Sequence, residues 1–530
     1  MPEISAYPIR LAKFLSGDYM FCKINTAMIG GINGVKIIVE CDIRNGMPMF
    51  NMIGGLASEV REAKDRVITA MINMGFDFPI KKITVNLAPA HLHKRGNYFD
   101  LPIATAILGC MEELRLDNLN DTLIIGELGL NGKLRKLNGV LSIADMAYNE
   151  GFKRIILPKI NAKEAAVTGK LDIIGVDDLR EAVDFINDKK RIEPTIFDIN
   201  EYIEKTGVND FEDFRDVSGQ DTVKRAVEIA ASGRHNLLMV GSPGSGKSMI
   251  SKRIPSILPT LSIKESIEIS KIYSVCGMIE EDRPLILKRP FRAPHHTVSA
   301  QAMVGGGRFP MPGEVSLSHN GVLFLDEFPE FQSRTLEILR QPMEDKKISI
   351  SRALGKYTYP ANFQLIAAMN PCACGYFPDR NRCNCNENEV NKYLNRISGP
   401  MLDRIDICVE SKKIGIDDLN KKDVSEESST EISKRVAKVH KIQKERFKNT
   451  DYEFNSQILP NDFEKFCKMT KNAKEIINTA FDKYQLTARG YHKIIRVART
   501  IADADDSAAI EEEHISEALF YRTLDFKYWR

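Results

Sequence analysis

A glycine-rich stretch near the middle of the chain has the residue types and spacing that hold phosphate groups. Residues 241–248, GSPGSGKS, fit the pattern G-x-x-x-x-G-K-[ST]; they follow the apolar run HNLLMV and precede the helical run MISKRIPSIL. Glycines let backbone N–H groups approach a phosphate without an intervening Cβ, and a helix N-terminus attracts anions. Lys247 would reach the β- and γ-phosphates, and Ser248 would ligate Mg²⁺. The pattern predicts a site for ATP and Mg²⁺, against the alternative of a plain Gly/Ser-rich turn. The predicted nucleotide-binding residues are Gly241, Ser242, Pro243, Gly244, Ser245, Gly246, Lys247 and Ser248.

A second apolar run ends in two acidic residues. VLFLDE, residues 322–327, predicts a buried strand with Asp326 and Glu327 at its end. Asp326 would hold Mg²⁺ through water, and Glu327 would polarise the attacking water as a general base. Asp-Glu pairs also end strands by chance, so this interpretation depends on the phosphate-binding motif upstream.

Three further polar side chains are candidates for the hydrolysis step. The run FQLIAAMN predicts a core strand ending on Asn370, whose amide could orient the lytic water or simply cap a turn. Arg404, in SGPMLDRID, is a candidate arginine finger from a neighbouring subunit, with an ordinary surface ion pair as the alternative. Arg489 begins the amphipathic run TARGYHKIIRVART and is predicted to point back at the γ-phosphate, with Arg496 as second choice.

Four of the ten cysteines lie in one short stretch, NPCACGYFPDRNRCNC, residues 370–385. Four thiolates can close a tetrahedral structural Zn²⁺ site, which would stiffen a loop too short for its own core. The C-x-C spacing is less specific than C-x₂-C, so free thiols and disulfides remain alternatives. Arg380 and Arg382 lie between the pairs and could face DNA phosphates. The candidate ligands are Cys372, Cys374, Cys383 and Cys385.

The composition excludes several classes of protein. The chain has 530 residues, 43% of them hydrophobic and 28% charged, which suits about three domains. It has no run of about 18 uncharged apolar residues and no signal-peptide pattern at its start, which predicts a cytoplasmic protein without a membrane segment. The net charge of +2 does not itself indicate a nucleic-acid binder, so DNA contact would require local patches.

One local patch is the stretch EDKKISISRALGKYTYPANF, residues 344–363, which predicts a basic hairpin with a turn at Leu354 and Gly355. Its basic side chains could follow DNA phosphates, and its tyrosines could stack on bases. An ordinary solvated hairpin is the alternative. The loop VGGGRFPMPG, residues 304–313, with Arg308, is a second candidate. The basic and aromatic side chains of the hairpin are Lys346, Lys347, Arg352, Lys356, Tyr357 and Tyr359.

Together these motifs resemble the AAA+ ATPases, and more narrowly their magnesium-chelatase-like branch. The run RPFRAPHHTVSAQAMVGGGRFPMPGEVSLSHNGVLFLDEFPEF is similar to the signature of that branch, and AAMNPCACG followed by SGPMLDRIDI narrows the resemblance to the YifB/ComM family. The resemblance covers nearly the whole chain. It implies a ring-shaped, hexameric motor that binds DNA and drives branch migration in homologous recombination or natural transformation.

The N-terminal part resembles the proteolytic domain of Lon. The resemblance rests on NMIGGLASEVREAKDRVITAMINMGFDFPIKKITVNLAPAHLHKRGNYFDLPIATAI and IIGELGLNGKLRKLNGVLSIADMAYNEGFKRIILP. Where Lon-type sequences carry their catalytic Ser and Lys, this chain has GNYF, residues 96–99, and GVLS, residues 139–142, with Leu141. Leucine cannot activate a nucleophile, so we predict a non-proteolytic domain.

The expected fold is therefore α/β and multidomain: a Lon-like domain with the ribosomal S5 domain 2-like fold, an AAA+ P-loop core and a C-terminal helical lid. Alternatives of other classes are a metal-chelatase motor, an ATP-dependent protease, which the missing dyad opposes, and a protein remodeller without DNA affinity. The predicted ranges are 1–186 for the Lon-like domain, 187–213 for a linker, 214–412 for the core with its insertion at 372–385, and 413–530 for the lid.

Overall fold

The computed structural model describes residues 20–206, 212–307, 310–352, 355–413 and 427–529. By its internal contacts the chain divides into two compact units. The first comprises residues 1–207, 266–286 and 352–357, and the second comprises 208–265, 287–351 and 358–530. The predictions that concern Arg308, Leu354 and residues 414–426 lie outside the described residues.

The first unit is built on a twisted mixed sheet covered by apolar helices. Every second side chain of β2 is buried, which is the alternation expected of a strand with one covered face. The helix Asp100–Cys110 is buried along its whole length, so it forms the centre of this core. The sheet has the order β1-β2-β4-β3, with β3 parallel to β4 and the other pairs antiparallel. Its strands are β1 Met20–Gly30, β2 Asn33–Arg44, β3 Met49–Ile53 and β4 Lys82–Ala88.

Two smaller sheets complete the first unit. A parallel sheet has the order β5-β8-β9, and β6 pairs with β7. These strands are β5 Thr122–Ile124, β6 Glu127–Leu128, β7 Leu134–Arg135, β8 Arg154–Pro158 and β9 Asp172–Val176. The helices are Ser58–Arg61, Ala63–Asn73, Asp100–Cys110, Val140–Asn149, Ala162–Ala166, Leu179–Ile186 and Ile199–Thr206.

Residues 266–286 belong to the first unit although they lie within the range predicted for the ATPase core. The Ser274 hydroxyl donates to the buried Glu164 carboxylate, and the Lys271 ammonium lies 2.8 Å from the Asp145 carboxylate. The stretch predicted as a linker also contributes here, because its residues include Phe197, which packs on the core.

The second unit is centred on a five-stranded parallel sheet with the order β11-β14-β17-β10-β18. Strands β10, β14 and β17 are buried along their length, as expected when helices cover both faces of a parallel sheet. The strands are β10 Leu237–Gly241, β11 Phe291–Arg292, β14 Val322–Leu325, β17 Gln364–Met369 and β18 Ile407–Ser411. Two short antiparallel pairs are β12 Gly305–Gly306 with β13 Met311–Pro312, and β15 Lys347–Arg352 with β16 Gly355–Pro360.

Helices surround this sheet and form the C-terminal part of the second unit. The α/β class and the helical C-terminal region predicted from the sequence are confirmed. The helices before the sheet's last strand are Asp221–Gly233, Lys247–Ile257, Ala300–Val304, Glu314–Leu317, Ser333–Ile338, Arg340–Asp345, Glu387–Leu394 and Gly399–Leu402. The helix Ile263–Val275 belongs to the first unit from residue 266 onward. The helices after it are Ser429–Arg446, Phe463–Phe466, Lys471–Lys483, Ala488–Ala504, Glu512–Phe520 and Thr523–Tyr528. Short 3₁₀ turns are Leu116–Leu119, Lys159–Asn161, Phe214–Asp216, Phe328–Glu330, Asn455–Gln457 and Pro460–Asp462. Among the described residues no helix has both the length and the apolarity needed to cross a membrane.

Candidate active site

Three strand ends bring the predicted nucleotide-binding residues together. The glycine-rich motif follows β10, Asn370 follows β17, and Asp326 follows β14. These strands are adjacent and parallel, with β17 between the other two. Carboxyl ends of parallel strands meet at one edge of a sheet, where ligands bind in open α/β folds. The segments are far apart in sequence, so the sheet order is what makes them neighbours.

The Lys247 side chain is held at the mouth of the glycine-rich loop. Its ammonium donates to the Gly241 carbonyl at 2.7 Å, the Ser242 carbonyl at 3.0 Å and the Asn370 amide oxygen at 3.3 Å. Burial lowers the pKa of Lys247, and the charge of Asp326 opposes that shift. A phosphate oxygen could replace these neutral acceptors and form a stronger, charge-assisted hydrogen bond.

Ser248 and Asp326 form the pair expected of a magnesium site. The Ser248 hydroxyl donates to the Asp326 carboxylate at 2.6 Å, and the other oxygen of Asp326 accepts from the Glu327 N–H at 2.9 Å. Hydroxyl and carboxylate oxygens, together with substrate phosphates and water, are the ligands that Mg²⁺ prefers. The residues present therefore fit this ion.

Glu327 has a contact that sequence reasoning missed. Its backbone is left-handed, with φ +51°, and its carboxylate lies 3.0 Å from Nδ1 of His296. The carboxylate is 58% exposed, so water can reach it. A left-handed non-glycine residue at the end of a core strand is typical of strained functional positions. The only signal for His296 in the sequence is its place in the run RAPHHT, more than 25 residues before Glu327.

Arg404 lies away from the glycine-rich loop and is held by an acidic residue. One guanidinium nitrogen donates to the Glu344 carboxylate and another donates to the Pro400 carbonyl at 2.6 Å. The side chain is only 11% exposed, and its Nε has no hydrogen-bond partner among the described residues. The structure thus shows the ion pair of the alternative interpretation, but with the Arg404 guanidinium largely buried.

Arg489 lies close to Arg404. Its guanidinium is 3.7 Å from the carboxylate of Asp403, the residue that precedes Arg404. Both arginines line a cleft of about 650 Å³ in the second unit, and the described residues that line it include none from 241–248. Arg496, the second choice, donates to a backbone carbonyl, and burial lowers its pKa. It is therefore a structural part of its helix bundle in this conformation.

The four clustered cysteines are brought together. Their sulfurs all lie within 4.8 Å of one another, and Cys372 and Cys383 are buried. All four thiols are free of disulfides. Arg380 and Arg382 are exposed between them, each placed over an aromatic ring of the same loop.

The basic hairpin forms as predicted, as strands β15 and β16, but one of its tyrosines is buried. Tyr359 is fully buried and donates its hydroxyl to the Pro310 carbonyl, so the idea that it stacks on bases is wrong for this conformation. Tyr357 lies under the guanidinium of Arg95, 5.0 Å from its ring centroid. The exposed basic side chains of the hairpin are Lys347, Arg352 and Lys356.

Comparison with known proteins agrees with these features. Three sequence families match: "Magnesium chelatase, subunit ChlI" over residues 213–419, "Subunit ChlI of Mg-chelatase" over 39–161, and "Magnesium chelatase, subunit ChlI C-terminal" over 426–522. YifB of Salmonella typhimurium is 40% identical, with 95% of this chain and 97% of that protein covered. The competence protein ComM of Haemophilus influenzae is 38% identical, with 93% and 96% covered. The chain belongs to the YifB/ComM family of magnesium-chelatase-like AAA+ proteins.

A weaker similarity links this YifB/ComM family member to a replication protein. The maternal DNA replication licensing factor mcm6 of Xenopus tropicalis is 23% identical over 58% of this chain and 36% of its own length. In this chain the glycine-rich loop, Asp326 and Glu327 lie inside residues 213–419, the segment that matches the magnesium chelatase subunit ChlI family. The family assignment therefore covers the whole candidate nucleotide site.

Proposed function

We propose that the protein is an ATPase that works as a ring of identical subunits, six in number, and moves DNA, with branch migration in recombination or transformation as its task. The observation that carries the ATPase part is the convergence of Lys247, the Ser248–Asp326 pair and Glu327 at one sheet edge. ATP is the substrate, and Mg²⁺, held through Ser248 and Asp326, would supply charge neutralisation at the β- and γ-phosphates.

The chain's own residues have distinct roles in hydrolysis. Lys247 and the loop N–H groups bind the phosphates, and the lysine exchanges its carbonyl acceptors for phosphate oxygens. Glu327 takes a proton from the attacking water. Asn370, already bonded to Lys247, orients that water beside the γ-phosphate.

Arg404 and Arg489 act on the nucleotide of a neighbouring subunit in this proposal. They share a cleft in which Arg234 and Arg404 both have a buried N–H without a hydrogen-bond partner among the described residues. Burial, with the nearby charge of Arg289, lowers the pKa of Arg234 to about 9, so an anion entering the cleft would be favoured. A γ-phosphate presented by the next subunit supplies such an anion and would displace Glu344 from Arg404.

Two observations support DNA as the molecule that the protein moves. The hairpin β15–β16 exposes three basic side chains on one short element, and phosphates are bound by such groups. The names of two relatives refer to competence and DNA replication. We extend that association to this chain as part of the proposal.

The first unit is proposed to be a Lon-like domain without proteolytic activity. Tyr98, where a nucleophile would stand, donates its hydroxyl to the Asn138 carbonyl, next to the segment that would supply the activating lysine. Burial raises the pKa of Tyr98 to about 12, and Leu141 is fully buried, so neither can perform the cleavage chemistry.

ATPase rates measured with no ligand, single strands, duplex and a four-way junction test the proposal. We expect stimulation by DNA that is greatest with the junction. Glu327→Gln should keep nucleotide binding and lower the rate by at least about a hundredfold, which is the lower range for a general base. Glu330→Gln, three residues on and paired with Arg396, is the matched control and should hydrolyse ATP normally.

The same assay separates the alternative functions. Hydrolysis that ignores every DNA, with no DNA retained on a filter, would exclude the DNA motor. Stimulation by a porphyrin would then favour a chelatase motor, which the family descriptions also suggest. Stimulation by unfolded protein would favour a protein remodeller.

A further inference from the structure

The cysteine loop lies directly against the glycine-rich loop. Gly375 has φ +87°, and a Cβ added there would come within 2.5 Å of Cδ and 2.7 Å of Cγ of Pro243. A distance below 3 Å cannot be accommodated without movement of one loop. The backbone of residue 375 therefore touches Pro243 with no room for a side chain.

The spacing of the four sulfurs matches a tetrahedral metal site. Cys372 and Cys374 are 3.3 Å apart, Cys374 and Cys383 are 3.5 Å apart, and Cys372 and Cys383 are 3.8 Å apart. Four sulfurs placed about 2.3 Å from a central Zn²⁺ are about 3.8 Å from one another. A disulfide would need sulfurs about 2 Å apart. The chemistry and the spacing both favour Zn²⁺ over disulfides.

Two hydrogen bonds within the loop fix Cys372 in a position suited to binding a metal. The Phe377 N–H donates to the Cys372 sulfur at 3.4 Å, the kind of contact that stabilises a thiolate. The Gly375 N–H donates to the Cys372 carbonyl at 3.0 Å, which forms a tight turn over residues 372–375. Cys372 thus fixes the position of Gly375.

The same loop begins at the residue that contacts Lys247. Asn370 accepts from the Lys247 ammonium at 3.3 Å and stands two residues before Cys372. The six positions 370–375 therefore include the residue that contacts Lys247, two cysteines and the glycine against Pro243. Anything that anchors the cysteines also fixes both contacts with the nucleotide site.

We propose that Zn²⁺ bound by Cys372, Cys374, Cys383 and Cys385 holds the segment 370–375 against the glycine-rich loop, so that nucleotide affinity depends on the metal. The inference rests on the proposed nucleotide site, but it does not depend on whether the protein moves DNA. Without the metal, no bond draws the four thiols together, so Asn370 and Gly375 lose that anchor.

Metal removal and reloading on the full chain form the first test. Zinc content is measured by mass spectrometry of the metal, and affinity is measured with a fluorescent ADP analogue. We expect one Zn²⁺ per chain, nucleotide binding that weakens about tenfold on removal (about 1.4 kcal/mol), and full recovery with Zn²⁺. Reloading with Co²⁺ should give the absorption of a tetrahedral thiolate site, a readout independent of hydrolysis.

Two variants distinguish the effect of zinc binding from the effect of the contact between Gly375 and Pro243. Cys383→Ser should lose both the zinc and most of the nucleotide affinity, whereas Cys276→Ser, the same change outside the cluster, should lose neither. Gly375→Ala should keep the zinc and still weaken nucleotide binding, because its Cβ would meet Pro243. Gly151→Ala is its control, since Gly151 also has a positive φ of +83° but no atom within 4 Å of the added Cβ. Circular dichroism checks that each variant is folded.

The outcomes are distinct. A zinc-free chain that binds nucleotide as tightly as the loaded one would overturn the coupling and leave the proposed ATPase intact. A wild-type chain purified and reloaded without stoichiometric zinc would overturn the metal site. Zinc-loaded protein that binds no nucleotide would overturn the inference and the proposed ATPase together.

Discussion

At the scale of single residues, His296 contacts Glu327, the residue proposed as the general base. The imidazole Nδ1 lies 3.0 Å from the carboxylate that should face the attacking water. With the ring this close, the carboxylate cannot turn freely toward an attacking water. His296 therefore restrains Glu327 in the state described here.

We predict that His296→Ala raises the ATPase rate in the absence of DNA by about threefold, which is less than 1 kcal/mol of activation free energy. DNA stimulation should become correspondingly smaller, because part of the activation has already occurred. His295→Ala is the control, since His295 contacts Thr297 and its ring centroid lies 4.0 Å from that of His296, and among the described residues no ion pair joins His295 to Glu327. Equal basal rates in the two variants would show that the contact does not restrain the base.

At the scale of elements, charged and titratable side chains of the helix Ser429–Arg446 contact the helix Asp221–Gly233. Arg435 makes a two-pronged pair with Glu228, and the His440 ring donates through Nε2 to the Ala231 carbonyl at 3.0 Å. Burial lowers the pKa of His440 to about 4, with the charges of Arg234 and Arg289 adding to the shift and the bond to Ala231 opposing it. The neutral ring is therefore part of the packing between these helices.

This shift predicts that stability falls as the solution becomes acidic. Between pH 6.5, where the unfolded histidine titrates, and pH 4, the unfolded chain binds a proton that the folded chain does not. Stability from this group is fully present above pH 6.5 and decreases by about 3 kcal/mol as the pH falls to 4. His440→Gln keeps an N–H donor and does not titrate.

The free energy of unfolding of wild type and His440→Gln, obtained by chemical denaturation at pH 7.5, 6, 5 and 4, measures this contribution. The comparison uses the two-state part of the unfolding curve that belongs to the second unit. The difference between the two proteins should grow toward low pH in favour of the variant. A constant difference across the series would mean that His440 titrates normally when folded.

At the scale of the whole molecule, the proposed function divides the nucleotide site between two subunits. Arg404 and Arg489 share a cleft whose described lining lacks the glycine-rich loop, and Glu344 and Asp403 neutralise them in the single chain. If the nucleotide site is divided in the proposed way, hydrolysis requires a neighbouring subunit. ATPase activity should therefore depend on assembly.

Mixing two inactive variants tests this division. Lys247→Ala lacks its own nucleotide site but keeps Arg404, and Arg404→Ala has the reverse defect. Each variant alone should hydrolyse ATP at a small fraction of the wild-type rate. An equimolar mixture should recover roughly a quarter of the wild-type rate, because about one interface in four pairs an intact Lys247 with an intact Arg404 from the neighbour. Lys247→Ala mixed with Glu327→Gln is the control, because Lys247→Ala subunits cannot bind nucleotide and Glu327→Gln subunits cannot hydrolyse it. Recovery that is equal in the two mixtures would place Arg404 outside the neighbour's site.

The sequence alone determined the parts of the site that depend on neighbouring residues in the chain. The glycine-rich loop, the strand VLFLDE and the strand before Asn370 were predicted within a residue or two, because their apolar runs and turn residues act locally. The cluster of four cysteines was predicted for the same reason, since two pairs lie within one short loop.

Only the tertiary structure decided which distant residues meet. The His296–Glu327 contact, the hold of Glu344 on Arg404 and the packing of Gly375 on Pro243 join segments separated by 30 to 130 residues, and no local pattern encodes them. Residues 266–286 join the first unit through Ser274 and Lys271, whose side chains are ordinary in sequence. Local periodicity reports which face of an element is apolar, whereas the partner of that face depends on the order of strands and the path of the loops.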